Sequence, residues 1–342
     1  MINIAVIGYG YWGPNLARCV SETDGCKLAA VVDMSAASLA RAGKRHPSAR
    51  LSQDWREVLA DPTVDAVMIA TPVDTHFDIG RAALNAGKHV FVEKPMTSSS
   101  QQAAILVDLA AKHKRVLMVD HTFVYTPAVQ KIRELIVDGS IGQVYYYHST
   151  RINLGLFQHD VNVIWDLAVH DLAILDFILD TKAVAVSASG AGHIEGVPEN
   201  MAHIALFYPN GIVAHLNVNW LAPVKVRQTL IGGSRRMIVY DDLEPSEKVK
   251  VYDRGVNLSS GAEEFNKLRV SYRVGDMWAP HLSVKEALLT EVEEFAACIT
   301  AGKTPTTSGM NGLRVVEMLE CAIQSLNRRG HPVELAEMRR AS

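Results

Sequence analysis

Lys94, Asp166 and His170 are the residues of this chain whose types and positions suit them to move a proton or steady a charge. Lys94 closes the apolar run of "HVFVEKPMT", within Glu93-Lys94-Pro95. Pro95 disfavours the right-handed helical region for Lys94, and a peptide bond to proline becomes cis far more readily than any other. Asp166 and His170, in "DLAVHD", stand four residues apart. On a helix that spacing puts them on one face, one turn apart. An imidazole titrates near neutrality and can take up a proton. The carboxylate can orient the ring and stabilise the imidazolium. Plainer readings stand beside these: Lys94 as a solvated surface charge, and Asp166 with His170 as a polar pair on a helix surface.

A second constellation is "GYGYWG". Gly8-x-Gly10-x-x-Gly13 follows an apolar run and precedes a helical pattern, the context that a dinucleotide fingerprint requires. Gly8 permits a tight turn, Gly10 lets the backbone approach a pyrophosphate, and Gly13 lets helix and strand pack closely. The helix N-terminus then presents its amides and the positive end of its dipole to phosphates. Pro14 has no N–H to leave unpaired there. Asp33 ends "KLAAVVD", 20 residues after Gly13. Its carboxylate suits the hydroxyls of the adenosine ribose and repels a 2′-phosphate, and no arginine follows at once to attract one. The set favours NAD over NADP. A simple turn for the glycines and a helix cap for Asp33 are the alternatives.

These residues must be positioned by the elements around them. "NIAVIG", "KLAAVVD", "DAVMIAT", "HVFVEKP" and "RVLMVDH" read as strands, each separated from the next by a helical pattern. The strands are continuous apolar runs, as in a parallel sheet covered on both faces. Repeated βα units predict a doubly wound fold, in which ligands sit outside the carboxyl ends of the strands. Lys94 is thereby delivered near the cofactor. The pattern changes after about residue 122. "VNVIWDLAVHDLAILDFIL" predicts a long helix, and the strands "AVAVSASGAG", "NMAHIALFYP", "GIVAHLNVNWLA", "KVRQTLIGG", "RRMIVYDD" and "KVKVYDR" then follow one another. Pro-Asn-Gly in "FYPNGIV" is a hairpin signal. Two helices close the chain. The expected fold is α/β: a dinucleotide-binding domain over 1–122, then an α+β domain over 123–342 with a large, mostly antiparallel open sheet. The last helices can pack back on the first domain.

Composition narrows the function classes. The chain has 342 residues, 48% hydrophobic and 21% charged, with a net charge of −3. Without a basic block, bulk attraction to nucleic acid or a membrane surface is not expected. No apolar stretch reaches spanning length and no secretory signal is evident, so a cytoplasmic protein is expected. Cys19, Cys26, Cys298 and Cys321 form no CxxC and no close Cys/His set. They read as reduced, mostly buried thiols with no metal site.

The elements "GYGYWG", "VVD", "ATPVDTH", "EKP" and "WDLAVHD" occur in order and at characteristic separations. In them the chain resembles, over essentially its full length, the glucose–fructose oxidoreductase, inositol dehydrogenase and rhizopine-catabolism (Gfo/Idh/MocA) family of NAD(P)-dependent sugar oxidoreductases. The resemblance implies an N-terminal Rossmann domain and a C-terminal open sheet that carries subunit contacts, hence homodimers or homotetramers. It implies catalytic roles for Lys94, Asp166 and His170. It places Thr71, Pro72 and His76 along the cofactor, with Tyr11, Trp12 and Glu93 of the matching motifs beside them. The implied reaction passes a hydride between a secondary alcohol of a sugar and NAD, with His170 taking the hydroxyl proton and Lys94 steadying the oxygen.

"GYGYWGPNLAR", "RINLG", "DVNVIWDLAVHD" and "YRVGDMWAPHL" look most like the nucleotide-sugar branch, whose members oxidise C3 of a UDP-linked N-acetyl sugar or related uronic acid. Arg151, Asn153 and Asn162 are then candidate substrate contacts. Alternatives are an inositol or other free-polyol dehydrogenase, and a non-catalytic NAD-binding regulator on the same scaffold.

Overall fold

The computed structural model describes residues 1–155, 161–259 and 269–335. The first part is a chain of βα units: β1 (Ile2–Ile7), α1 (Gly13–Glu22), β2 (Cys26–Val32), α2 (Ala36–Arg45), β3 (Arg50–Ser52), α3 (Trp55–Ala60), β4 (Ala66–Ile69), α4 (Val73–Asn85), β5 (His89–Glu93), α5 (Ser100–His113) and β6 (Leu117–Asp120). Its strands form one sheet in the order β3-β2-β1-β4-β5-β6, parallel throughout. The strands are apolar on both sides because both faces are covered. Ile4 and Val6 enter one core, Ala5 and Ile7 the other. The strand order reverses between β1 and β4. Crossovers there leave to opposite faces, opening a crevice at the carboxyl ends where ligands bind in such sheets.

A short 3-10 turn (Thr122–Tyr125) and α6 (Pro127–Val137) lead into the second part. It contains β7 (Val144–Leu154), a π turn (Ile164–Ala168) running into α7 (Val169–Ile178), β8 (Ala185–Ala191), β9 (Met201–Phe207), β10 (Val213–Asn219), β11 (Leu221–Gly233), β12 (Met237–Asp241), β13 (Val249–Tyr252), β14 (Gly255–Ser259), β15 (Arg269–Arg273), β16 (Met277–Trp278), α8 (Ala287–Ala301), α9 (Gly309–Asn327) and β17 (Val333–Glu334). Nine strands form a mixed, mostly antiparallel sheet in the order β16-β13-β12-β11-β7-β10-β9-β8-β17. Among the described residues only β7 and β10 pair in parallel within it.

The two sheets share one core. Met68 and Phe91 of the first, Tyr147 and Trp220 of the second, and Phe295 and Leu319 of the closing helices belong to a single buried cluster. At the closing helices, Arg18 of α1 pairs with Glu286 at the start of α8, and α9 packs against α5. Helix α7 is held by two buried carboxylates. Asp171 accepts from Arg151 Nε of β7 at 2.7 Å. Asp176 accepts two bonds from Arg314 of α9, each at 2.8 Å, and a third from Asn311.

Several elements differ from the sequence expectation. The helix predicted through "DLAVHD" is interrupted, because residues 164–168 form a π turn before α7 begins. "GIVAHLNVNWLA" is two strands, broken at the fully buried Trp220. β3 and α3 are too short for periodicity to reveal. The Pro-Asn-Gly signal is a hairpin: β9 and β10 pair antiparallel across it, with Gly211 at φ +81°. Cys19, Cys298 and Cys321 are buried and Cys26 half-buried, all as free thiols. Among the described residues no helix is long and apolar enough to cross a membrane.

Candidate active site

The site begins at the reversal between β1 and β4. Gly8 has φ +95°, a region open to glycine at no steric cost. A Cβ on it would lie 2.4 Å from the Ala70 carbonyl oxygen, and one on Gly13 would lie 2.0 Å from that of Gly8. These two glycines are therefore packing requirements. Gly10 has nothing within 4 Å of its Cβ position, leaving open space over the loop. Helix α1 starts with Trp12 as its N-cap and no side-chain cap bond, so this helix end is left to other acceptors. Tyr11 is exposed and stacks on Trp12.

Asp33 lies at the carboxyl end of β2, and its carboxylate is engaged by two backbone amides. Its Oδ2 accepts from Tyr9 N at 2.7 Å and its Oδ1 from Ser35 N at 2.8 Å. The carboxylate thus ties the glycine loop to the second strand while remaining half-buried. The side chain that caps α2 belongs to Ser35, not Asp33.

Thr71 and Pro72 form the turn after β4, with Pro72 as the N-cap of α4. His76 is buried beneath them. Its Nε2 lies 2.8 Å from the Thr71 carbonyl and its Nδ1 3.0 Å from that of Pro95. A neutral ring donates to only one of the two, and burial lowers its proton affinity. His76 therefore joins the turn after β4 to the Glu93-Lys94-Pro95 segment. The Lys94–Pro95 peptide is cis.

Lys94 reaches across to the second part of the chain. Its Nζ donates to the Asp166 carbonyl at 3.2 Å and to Asp166 Oδ1 at 3.4 Å. Asp166 Oδ2 accepts from Trp220 Nε1 at 3.1 Å. This differs from the sequence expectation that Asp166 would orient His170. The π turn changes the rotation between positions 166 and 170, and the Asp166 carboxylate bonds Lys94 and Trp220. His170 instead packs against Phe123, with ring centroids 4.9 Å apart. Burial pushes the His170 pKa well below the ordinary imidazole value, and the positive charges of Lys94 and Arg151 add to the shift. The ring is neutral near pH 7 and free to accept a proton.

The three candidate substrate contacts separate. Arg151 is buried, its Nε committed to Asp171 and its guanidinium 4.5 Å from the Phe123 ring centroid. It supports Phe123 and, through it, His170. Asn162 donates to Glu199 Oε2 at 3.0 Å and accepts from Trp165 N at 3.3 Å, at the start of the π turn. Asn153 is half-buried near the end of β7. The stretch 156–160 between them lies outside the described residues.

Sequence reasoning missed a buried polar group beside the loop. Trp12 Nε1 donates to Asp120 Oδ2 at 2.6 Å, and Glu291 of α8 accepts from His121 N at 3.0 Å. Asp120, at the carboxyl end of β6, could have been flagged by the same strand-end argument that singled out Lys94. Phe123 and Glu291 carry no comparable sequence signal.

Comparison with known proteins bears on this geometry. Residues 2–121 match the family model described as "Oxidoreductase family, NAD-binding Rossmann fold", and residues 129–239 match the GFO/IDH/MocA C-terminal domain. The chain is 29% identical over 256 residues to UDP-N-acetylglucosamine 3-dehydrogenase of Acidithiobacillus ferrooxidans, covering 74% of this chain and 76% of the relative. The solved structure of that enzyme superposes with a TM-score of 0.81 at 26% identity, over 96% of this chain and 98% of the other. Inositol 2-dehydrogenase of Rhizobium meliloti is 27% identical over 338 residues, 95% of this chain and 97% of the relative. Levoglucosan dehydrogenase, solved with NADH and levoglucosan, shares the fold at a TM-score of 0.82 and 20% identity, over 98% of this chain and 99% of the other. With both halves matched in order, this chain belongs to the GFO/IDH/MocA family of NAD-dependent oxidoreductases, dehydrogenases that act on sugars and polyols.

Proposed function

We propose that the chain oxidises a secondary alcohol of a nucleotide-linked sugar, at C3 of a UDP-linked N-acetyl sugar or the related uronic acid, with NAD as acceptor. The observation that carries the chemistry is the meeting of Lys94, from the end of β5, with the Asp166–His170 segment of the second part. The glycine loop, the open space over Gly10 and the half-buried Asp33 fit a dinucleotide. When bound there, NAD supplies the acceptor for the carbinol hydride.

The chain's own residues divide the remaining work. His170, half-buried and kept neutral by desolvation and the nearby positive charges, accepts the hydroxyl proton. Lys94 donates to the reacting oxygen and stabilises the negative charge that develops on it. Asp166 holds the Lys94 ammonium in place through its carbonyl and its carboxylate. Trp220 in turn fixes that carboxylate from within the core. Holding the alcohol in register lowers the barrier further.

Similarity to the UDP-N-acetylglucosamine 3-dehydrogenase, in sequence and over nearly the whole fold, supports the nucleotide-sugar reading. A free-polyol substrate is the second reading, favoured by the near full-length likeness to an inositol 2-dehydrogenase. Single-turnover reduction of NAD by UDP-N-acetylglucosamine, its uronic acid and myo-inositol separates the two. Turnover with the inositol alone overturns the first reading.

We also propose a closed homodimer or homotetramer. Tyr145 and Tyr146 of β7, and Leu154 and Val224 near its end, are large apolar side chains left exposed on this chain. A monomer in sedimentation at micromolar concentration refutes the assembly.

A further inference from the structure

Glu93 and Asp120 are the last residues of β5 and β6 and stand directly opposite each other in the sheet register. Side chains so placed share one face, and like charges there repel. A third carboxyl, Glu291 of α8, is fully buried against them. Asp120 is well supplied with donors: Trp12 Nε1 at 2.6 Å and Thr122 Oγ1 at 2.5 Å. The other two are not. Glu291 Oε1 accepts from His121 N, but Glu291 Oε2 and Glu93 Oε2 are buried with no donor among the described residues.

The charge around this set does not balance three carboxylates. Lys94 is the nearby ammonium, and it is already paired with Asp166. The His121 ring is driven down to about 4 by burial and is neutral at pH 7. The Asp166 carboxylate, paired with the Lys94 ammonium, also raises the Glu93 pKa, and burial keeps the nearby Cys19 and Tyr125 in their neutral forms. Burial and then the Asp120 charge push both Glu93 and Glu291 well above the usual carboxylate range. A protonated Glu291 becomes the donor that its Oε2 otherwise lacks, with Asp120 as acceptor. Glu93 is the member at the edge: it precedes Lys94 and is only half-buried.

We propose that Glu93, Asp120 and Glu291 form a proton store coupled to cofactor charge, releasing a proton when oxidised, cationic nicotinamide occupies the cleft beside Lys94 and keeping it when the neutral, reduced form does. This rests on the reading of Lys94 as a reaction-side residue. In the step an O–H bond of a neutral carboxyl breaks, the proton leaves to solvent, and the carboxylate remains opposite the cation. No electrons move. A cation stabilises the ionised carboxyl, and by linkage the oxidised cofactor then binds more tightly as pH rises.

Titration calorimetry on the full chain tests this, with NAD⁺ and NADH each measured near pH 7 in buffers of different ionisation enthalpy. The expected result is a substantial fraction of a proton released per NAD⁺ bound, and clearly less per NADH. Glu93→Gln, close in shape to the native residue, is expected to abolish the difference. The unmutated protein gives a second reading: the ratio of NAD⁺ to NADH affinity should rise with pH, by at most about tenfold per unit for one linked proton. Equal release for the two cofactor forms, or a difference that survives Glu93→Gln, overturns the proposal. Failure of the protein to bind either form instead refutes the cofactor site itself, and the proton store with it.

Discussion

Asp166 and Asp171 lie five residues apart on one helical segment, and each holds a cation from a different strand. The Lys94–Asp166 pair is long, 3.4 Å, and its side chains retain 18% and 22% of their surface. The Arg151–Asp171 pair is short, 2.7 Å, with 5% and 3% retained. The proposed mechanism accounts for the difference. There Lys94 turns to a substrate oxygen, and a group that does so cannot be sealed in its own ion pair. A group that fixes the helix carrying His170 gains from being sealed, because removing either partner leaves an uncompensated buried charge.

The largest expected effects test the reactive pair. Lys94→Ala and His170→Ala should each lower kcat by about 10²–10⁴-fold, the range for a lost acid–base partner, while leaving NAD affinity and thermal stability near those of the unmutated chain. Their double mutant should lose less than the product of the two, since groups acting as a unit are not additive. Asp166→Asn should cost less than His170→Ala, because the Asp166 carbonyl still holds Lys94. Single-turnover NAD reduction by a UDP-linked sugar reads all four. An unmutated rate in His170→Ala removes that residue as the base.

Next comes the sealed pair. Arg151→Ala should destabilise the fold by about 3–5 kcal/mol, the cost of stranding a buried charge, measured by urea unfolding. If it instead leaves stability unchanged and only raises KM, Arg151 is a substrate contact and the contrast between the two pairs collapses.

The pH profile gives a smaller effect with a definite sign. His170 binds its proton less readily in the folded protein than a free imidazole does. Oxidation of the alcohol needs the neutral ring, so kcat should hold through pH 6.5 and fall only at lower pH. The folded state also refuses protons that unfolded His170 and His121 would take. Their contribution to stability is therefore complete above pH 6.5 and shrinks as pH drops from there, for His121 toward about 4. An acid limb in kcat centred at or above 6.5 would contradict His170 as the neutral base.

The smallest expected change concerns Asp33. Asp33→Ala should narrow the preference for NAD over NADP. It should also weaken NAD itself, because the mutation releases Tyr9 N and Ser35 N along with the ribose. Calorimetry with both dinucleotides checks this, and equal affinity for the two in the unmutated protein would remove Asp33 as the selector.

What could be read without coordinates was local. Gly8, Gly13, Asp33 and Lys94 are set by strand ends and short spacings, which a parallel sheet converts into positions along one edge. Continuous apolar strands marked the first sheet for the same reason, since burial on both faces leaves no alternation to interrupt. The family resemblance lay in those same short motifs. Asp166 was expected to orient His170, but its side chain bonds Lys94 and Trp220, since no residue pattern announced the π turn that rotates it toward them.

The sequence by itself determined that a dinucleotide loop, a lysine at a strand end and a histidine-bearing helix would exist, because each depends on neighbours within a few residues. Tertiary structure alone decided which of them meet. Lys94 and Asp166 are 72 residues apart, Trp12 and Asp120 are 108 apart, and His121 and Glu291 are 170 apart. Contacts of that range depend on how two sheets and the returning helices share one core. Whether a carboxylate there is an ion-pair partner, a hydrogen-bond acceptor or a proton carrier depends on the charges and donors that packing brings beside it.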